Sequence, residues 1–457
     1  MDGDRAGGGG GAGTFVSEYI AKTRQFSRNA NLYVLHVVGM DMIHGSWTVL
    51  FNLYLLAIGF DIRFIGLRLI IEGIARAITA VPAGLVSDRI GRKASFILGD
   101  GVGAVVGLVQ ISTQSEGILL AGPAFGAFFG NLHHTAEPAF MAENSRREER
   151  VHLFAVAGSL RTFSAMGGAL IAAMVPLLFI DAIGKVEAYR YATYAGLVLW
   201  FVSLIPAVML RTTEAVERPE VEFARAATRG ARRWSVRRLT AGIKHPRRIA
   251  FFVLTSAFIS FGYGAIGPLF NVAFHEGYVD AADTQIGFMF AGGELGLAAA
   301  MLFVPLLAAR MLKVDAIALT RMLALPFVFG MGLLPVVLGE GGILIWLVGI
   351  SYAGRVMVFR MSGPLDDAFN MEVLDARERA TNTGIEIAVG GALSALAIFA
   401  GSRLLDGGDF TTPFVIMGVC YAISTAIYWK AFRPLEISEL RKQQDEGVPS
   451  AVAGGGD

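Results

Sequence analysis

The chain has 457 residues, 54% of them hydrophobic and 17% charged, with a formal net charge of +1 and a mean hydropathy of +0.56. A soluble chain of this length carries a more charged surface, and so small a net charge gives no electrostatic ground for a nucleic-acid partner. The single cysteine, Cys420, excludes an internal disulfide and reads as an inert core thiol.

The apolar residues fall in long runs. Val34 to Ile58 contains one acid, Asp41, two histidines, His36 and His44, and no Lys or Arg. About 20 mainly apolar residues carry a helix across the hydrocarbon core. Runs of that length lie near 32–58, 63–86, 94–112, 117–141, 151–179 and 188–210, then near 249–275, 284–309, 315–338, 342–368, 380–402 and 411–432. In lipid every backbone polar group needs a partner within the protein, so these runs are expected to be helices. They lack the period-two alternation of barrel strands. The expectation is an all-α membrane protein with twelve transmembrane helices in two six-helix pseudo-repeat bundles.

Basic residues cluster in alternate loops, at Lys22, Arg24 and Arg28, at Arg89, Arg92 and Lys93, and at Arg146, Arg147 and Arg150. The pattern continues with Arg310 and Lys313, Arg377 and Arg379, and Lys430 and Arg433. Such loops face the cytoplasm. The expected order is a cytoplasmic tail over 1–30, a first bundle over 31–210, a cytoplasmic linker over 211–248, a second bundle over 249–433 and a cytoplasmic tail over 434–457. The linker's end, from Arg229 to Arg248, is strongly basic and suits anionic lipid headgroups. The Gly-rich start, Gly7 to Gly13, has no apolar core with a cleavage site, so no removable signal is expected.

The halves repeat. Glu137-Pro138-Ala139-Phe140, then Glu143, then Glu149-Arg150, is echoed without a gap by Asp366-Asp367-Ala368-Phe369, then Glu372, then Glu378-Arg379. Leu50-Phe51-Asn52 followed by Ile65-Gly66 is echoed by Leu269-Phe270-Asn271 followed by Ile286-Gly287. Two echoes in corresponding places point to an internal duplication. Six-span halves joined by a linker suggest rocking of one half against the other.

The second span ends in Gly84-Leu85-Val86-Ser87-Asp88-Arg89-Ile90-Gly91-Arg92-Lys93. Here the sequence resembles the major facilitator superfamily, whose loop between spans two and three carries Gly-x-x-x-Asp-Arg-x-Gly-Arg-Lys. Gly84, Asp88, Arg89, Gly91, Arg92 and Lys93 match it. Without the resemblance, Gly84 lets helices approach closely, Gly91 permits a tight turn, and Asp88, near the membrane edge, can accept from a neighbouring helix start. The resemblance implies that Asp88, Arg89 and Arg92 latch the cytoplasmic side when the cavity faces out. In the second half Ala309-Arg310-Met311-Leu312-Lys313 has the bases without a preceding acid, so a one-sided latch is expected. Two other signatures of the family are missing. Gly126 stands where many proton-coupled members have Arg, and the fifth span has only Gly167-Gly168 of a drug-antiporter motif. Both absences count against drug–proton antiport.

Ionisable residues within a span face a cavity or a partner. At ~1.5 Å of rise per residue, Arg76 lies ~18 Å from Asp88, and Asp41, Glu137 and Arg161 lie ~14–15 Å from their cytoplasmic ends. His134 is near Glu137, and Asp366 matches Glu137 through the repeat. These residues share one depth, where a transport site is expected. With His44, Glu72 and Arg360 they form the candidate substrate or proton pathway. Arg68, Glu72 and Arg76 lie on one helical face, with Arg68 read as snorkelling and Glu72 as its partner and that of Arg76. One reading gives structural pairs, Asp41 with Arg76 or Glu137 with Arg161. The other gives a proton-coupling carboxylate with His134 as relay. Asp100, in the peripheral third span, is read as structural. Arg161, Arg355 and Arg360 are weighed as anion ligands against structural pairing.

The chain therefore reads as a secondary transporter of a small organic molecule, proton-coupled and exporting. It is placed in the plasma (inner) membrane as a monomer in contact with lipid. No cofactor, metal or enzymatic activity is expected: no phosphate-binding Gly-x-x-x-x-Gly-Lys loop, metal-ligand spacing or nucleophile motif is present. The alternatives are proton-symport uptake of a polar or anionic solute, and a non-transporting receptor of this fold.

Overall fold

The computed structural model describes residues 26–211, 244–277, 279–301, 303–339 and 342–445. Most of the basic linker and the Gly-rich start lie outside the described residues. Within them the chain makes twelve helical passes. The first six are α1 (Arg28–Ala57), α2 (Ile62–Ile90), α3 (Arg92–Ser112), α4 (Glu116–Glu143), α5 (Arg147–Ile183) and α6 (Lys185–Val208). The seventh pass is α7 (Pro246–Ile266), a 3-10 turn at Gly267–Leu269, and α8 (Phe270–Glu276). The eighth is α9 (Asp283–Met301) with α10 (Val304–Arg310), and the ninth is α11 (Lys313–Leu338). The tenth is α12 (Gly342–Arg360) with α13 (Ser362–Val373), followed by α14 (Ala376–Asp406) and α15 (Thr412–Asp445).

Eleven passes are long and apolar enough to cross a membrane. In α4 the polar residues Asn131, His133 and His134 dilute the apolar run. The seventh, eighth and tenth passes were expected as unbroken runs and are not. Pro268 lies in the 3-10 turn, Pro305 is the second residue of α10, and Pro364 is the third of α13. Each proline lacks the N–H that would bond back across the break. The last helix runs on to Asp445, past the expected end of its span.

Packing repeats between the halves. In the first, α1 lies against α5 and α6, and α2 against α4; in the second, α7 lies against α14 and α15, and α9 against α12. The apolar core shows how the halves meet. One buried cluster spans both, with Val49, Leu50, Phe51 and Leu53 of α1 joined to Phe270, Val272 and Phe274 of α8. Two further clusters stay within one half, around Tyr33, Phe96 and Phe140 in the first and around Phe252, Phe369 and Phe432 in the second. The shared core sits at the face where α1 ends. The separate cores sit at the face where it begins.

The start of α7 is tied down by Glu378 in the first turn of α14. Its carboxylate accepts from the backbone N–H of Lys244 at 2.6 Å and of His245 at 2.8 Å, and lies 3.1 Å from His245 Nδ1. Burial raises this carboxyl, but the bonds from His245, Lys244 and Asp375 outweigh it and hold the group at about 2. The bonded form is the ionised one. Its stabilisation is complete above the unfolded value of ~4.3 and fades as pH falls toward 2. Glu378→Ala should therefore cost ~1–3 kcal/mol near neutral pH. In thermal denaturation the gap from wild type should narrow steadily below about pH 4.

Candidate functional site

The intramembrane charges of the first half converge because α1 packs on α5 and α4 stands beside them. The Arg161 guanidinium on α5 binds the Glu137 carboxylate on α4, lies 3.7 Å from Asp41 on α1, and donates to the Tyr33 hydroxyl at 3.3 Å. The sequence-derived pair Glu137–Arg161 is thus present. The pair Asp41–Arg76 is not: Arg76 folds back along its own helix onto Glu72 at 3.0 Å, leaving Asp41 to Arg161. Arg68 does not snorkel. It is buried, 4.5 Å above the Phe51 ring, donates to Gln110 at 3.1 Å and lies 3.5 Å from Glu72. A Gln partner inside the bundle holds the guanidinium inward.

A cavity of about 250 Å³ lies among α1, α2, α3 and α4. Asp41, His44, Glu72, Arg76 and His134 line it, with Asp100, His133, Trp47 and Trp200. With Trp200 of α6 completing the lining, acids, bases and two indoles around one cavity suit a polar organic solute. Of the proposed pathway residues, Glu137 and Arg161 join this group through Asp41. Arg360 and Asp366 do not line it. In the second half Arg360 pairs with Glu294 at 3.1 Å, and Asp366 meets Arg321 at 3.0 Å and the Tyr428 hydroxyl at 2.6 Å. Arg355 is buried among the rings of Tyr263, Phe270, Phe359 and Tyr421, and donates to the Tyr421 hydroxyl at 2.9 Å.

The gating loop is closed on itself. Gly91 joins α2 to α3 with φ of 86°, a conformation glycine accepts freely. Arg92 reaches back to Asp88 at 2.8 Å and across to Glu143 on α4 at 3.7 Å. Arg89 ends α2 in an exposed position, and Lys93 begins α3. Gly84 makes no close helix approach here: a β-carbon there would meet only Thr135 Cγ2, at 3.9 Å. The second half lacks an Asp88 but keeps the other bond. Lys313 meets Glu372 at 2.6 Å, and Glu372 is the repeat counterpart of Glu143.

The halves are joined at the face where α1 ends. Asn52 and Asn271, equivalent in the second echo, face each other. Asn52 Nδ2 donates to Asn271 Oδ1 at 3.1 Å and to the Pro268 carbonyl at 3.1 Å; Asn271 Nδ2 donates to the carbonyls of Val49 at 2.9 Å and Thr48 at 3.2 Å. Gly66 and Gly287, the other echoed pair, are the crossing points of α2 on α14 and of α9 on α5. A β-carbon on Gly66 would lie 2.5 Å from Ser402 Cβ, and one on Gly287 would lie 3.0 Å from the Ala169 carbonyl oxygen. Arg63–Asp406 at 2.6 Å and Tyr189–Asp283 bridge the same face. At the other face, Arg92–Glu143, Lys313–Glu372 and Lys244–Asp375 each stay within one half. The halves are thus joined at the face where α1 ends, while at the face of the α2–α3 loop these ion pairs of the described residues stay within one half. Sequence reading passed over these asparagines and glycines, although the echo that revealed the duplication is built from them.

Two six-pass halves, joined at one face and carrying buried charges beside a cavity, have the architecture of a membrane transporter. The chain belongs to the Major Facilitator Superfamily, whose family model matches residues 32–385. No curated protein matches the sequence. Among solved structures, a D-xylose-proton symporter is similar with TM-score 0.68 and 12% identity, covering 88% of this chain and 97% of its own. The nucleoside transporter NupG gives 0.66 and 13%, covering 89% and 99%. The inward-open xylose transporter XylE of E. coli gives 0.66 and 14%, covering 88% and 96%. At such identities the likeness establishes the fold alone; it is membership of the superfamily that makes the chain a multi-pass secondary transporter.

In the conformation described, Asp88 is engaged only within its own loop. If it latches the gate when the halves close on this side, Asp88→Ala should leave the protein folded and slow turnover by roughly tenfold, the loss of one charge-assisted hydrogen bond. Wild-type turnover would count against the latch.

Proposed function

We propose that this transporter exports a small organic solute in exchange for protons, with both termini in the cytoplasm and the chain acting as a monomer in the plasma membrane. One observation carries the reading. Asp41 and Glu137, two carboxylates beside the cavity, share a single cation, Arg161. One guanidinium neutralises one carboxylate, and the second acid is then free to hold an exchangeable proton. Asp41 faces the cavity and is the group placed to exchange it.

Uptake of a polar or anionic solute by proton symport is the second reading. Arg76 favours it, since this side chain lines the cavity and is 45% exposed there despite its bond to Glu72. The D-xylose-proton symporter among the similar structures fits the same mode.

Thermal stabilisation of purified protein by a metabolite and drug library would select solutes for proteoliposomes. An imposed pH gradient then separates the modes: antiport drives the solute against the proton flow, symport drives it with that flow. Asp41→Asn or Glu137→Gln should abolish gradient-driven flux and leave solute exchange measurable. Driven flux unchanged in both variants would refute the coupling.

A further inference from the structure

We propose that His36, Asp100 and His133 form a proton-binding site of the transport cycle, in which His133 gains and loses the proton. The proposal deepens the proton-coupled reading and rests on it.

The three side chains are buried at 0%, 3% and 1% exposure on α1, α3 and α4. A single carboxylate oxygen, Asp100 Oδ2, lies 2.8 Å from His36 Nε2 and 2.7 Å from His133 Nδ1. The second nitrogen of each ring tells them apart. His36 Nδ1 lies 2.7 Å from the Ser203 carbonyl, which can only accept. Both nitrogens of His36 therefore face acceptors. A proton must sit on each, so beside an ionised Asp100 this ring is an imidazolium.

His133 differs. Its Nε2 lies 3.3 Å from the Tyr33 hydroxyl, which both donates and accepts, and 4.0 Å from Glu137. A neutral His133 donates from Nδ1 to Asp100 and accepts at Nε2 from Tyr33. A charged His133 donates from both nitrogens, and the Tyr33 proton turns away. Both states keep the bonds of His133 by rotation of one hydroxyl, which in the charged state donates to Glu137, with no movement of heavy atoms.

The site is also connected. Tyr33 accepts from Arg161, which holds Glu137 and Asp41, and both Asp100 and His133 line the cavity. The charged and titratable groups facing His133 are thus Tyr33, His36 and Asp41 from α1, Asp100 from α3, His134 and Glu137 from α4, and Arg161 from α5. While Asp41 is ionised, three acids stand against two cations, Arg161 and the doubly bonded His36. A proton on His133 makes the count even.

The protein has seven histidines, so selective nitrogen-15 labelling resolves them in lipid nanodiscs. His36→Gln and His133→Gln assign the two signals. As pH is varied around neutrality, the His133 signal should pass between charged and neutral forms. Proton release over that range should fall by about one per molecule in His133→Gln. Spin labels at Ile90→Cys and Arg310→Cys, with Cys420→Ser, read the separation of the halves at the gating face. That separation should shift with pH in wild type and lose the shift in His133→Gln. Should His133→Gln fail to fold, Tyr33→Phe keeps the volume, removes the partner of Nε2 and should displace the His133 titration. A His133 fixed in one state, or an unaltered pH response in His133→Gln, would overturn the proposal. So would saturable Zn²⁺ binding that erases both imidazole signals and is lost in Asp100→Asn, since the same three atoms would then be metal ligands.

None of these readouts needs a solute. A pH gradient that fails to drive solute while His133 titrates as described removes the coupling and leaves the site. Driven flux untouched by His133→Gln removes the site and leaves the coupling.

Discussion

Asn52→Ala should lower the closed population at the face where α1 ends by roughly tenfold or more. Each of these asparagines is buried, and each satisfies a donor or carbonyl of the opposite half. Removing one leaves its partners without bonds in a buried interface, at ~1–3 kcal/mol, and 1.4 kcal/mol is a tenfold change in population. The measurement is the distance between spin labels at Gln114→Cys and Ile343→Cys, both exposed at that face, in a Cys420→Ser background. Asn271→Ala should act in the same direction. The double variant should fall short of the sum, because the Asn52–Asn271 bond is lost in either single one. Gly287→Leu tests the same interface by sterics, since any β-carbon there runs into Ala173 on α5. It should remove the closed state and stop turnover. Distance distributions like the wild type in all of these would refute the clasp.

The clasp and the gating loop lie on opposite faces, and this gives alternating access a concrete form. Closing one face engages Asn52, Asn271, Gly66 and Gly287. Opening the other leaves Arg92 and Lys313 bound within their own halves. Each set is duplicated through the repeat, so a rigid rocking of the halves, if it drives the cycle, would exchange one for the other without unfolding a helix. A weak clasp suits this role, because contacts worth a few kcal/mol can be broken in each cycle.

Sequence alone disclosed the passes, the duplication and the position of the charged loop between α2 and α3, because apolar run length, repeat offsets and charge clusters are properties of the chain. The site was legible in depth but not in azimuth. Rise per residue put Asp41, Arg76, Glu137 and Arg161 at one height, yet only the packing of α1 on α5 decides that Asp41 meets Arg161. For the same reason Arg68 was placed at the surface, whereas its helix turns it toward Gln110 and Phe51. Asp366 has the right height and the right repeat partner, but Arg321 and Tyr428 hold it within the second half. Asp100 was judged by the periphery of its helix. The side chain points inward to two histidines, one of them 64 positions away in the sequence. Helix breaks at Pro268, Pro305 and Pro364 were visible as prolines and passed over because the apolar runs continue through them.

Arg161→Met should be the most damaging single change in the first half. It removes the one cation shared by Glu137 and Asp41, whose side chains are 12% and 16% exposed. Truncating one partner of a buried ion pair costs ~3–5 kcal/mol, and the open cavity puts this case at the lower end. The loss is read as a thermal shift of several degrees and as lost turnover. Two further variants separate charge from shape. Glu137→Gln in the Arg161→Met background should restore much of the stability, because a neutral amide no longer needs the cation, yet it should not restore pH-driven flux. Arg161→Lys keeps the charge but not the planar fork that reaches Glu137, Asp41 and Tyr33 together, so it should recover stability in part and leave coupling impaired. If Arg161→Met were as stable as wild type, or if Glu137→Gln failed to relieve it, the two acids would not depend on this guanidinium. The assignment of one of them as the carrier of an exchangeable proton would then fail with it.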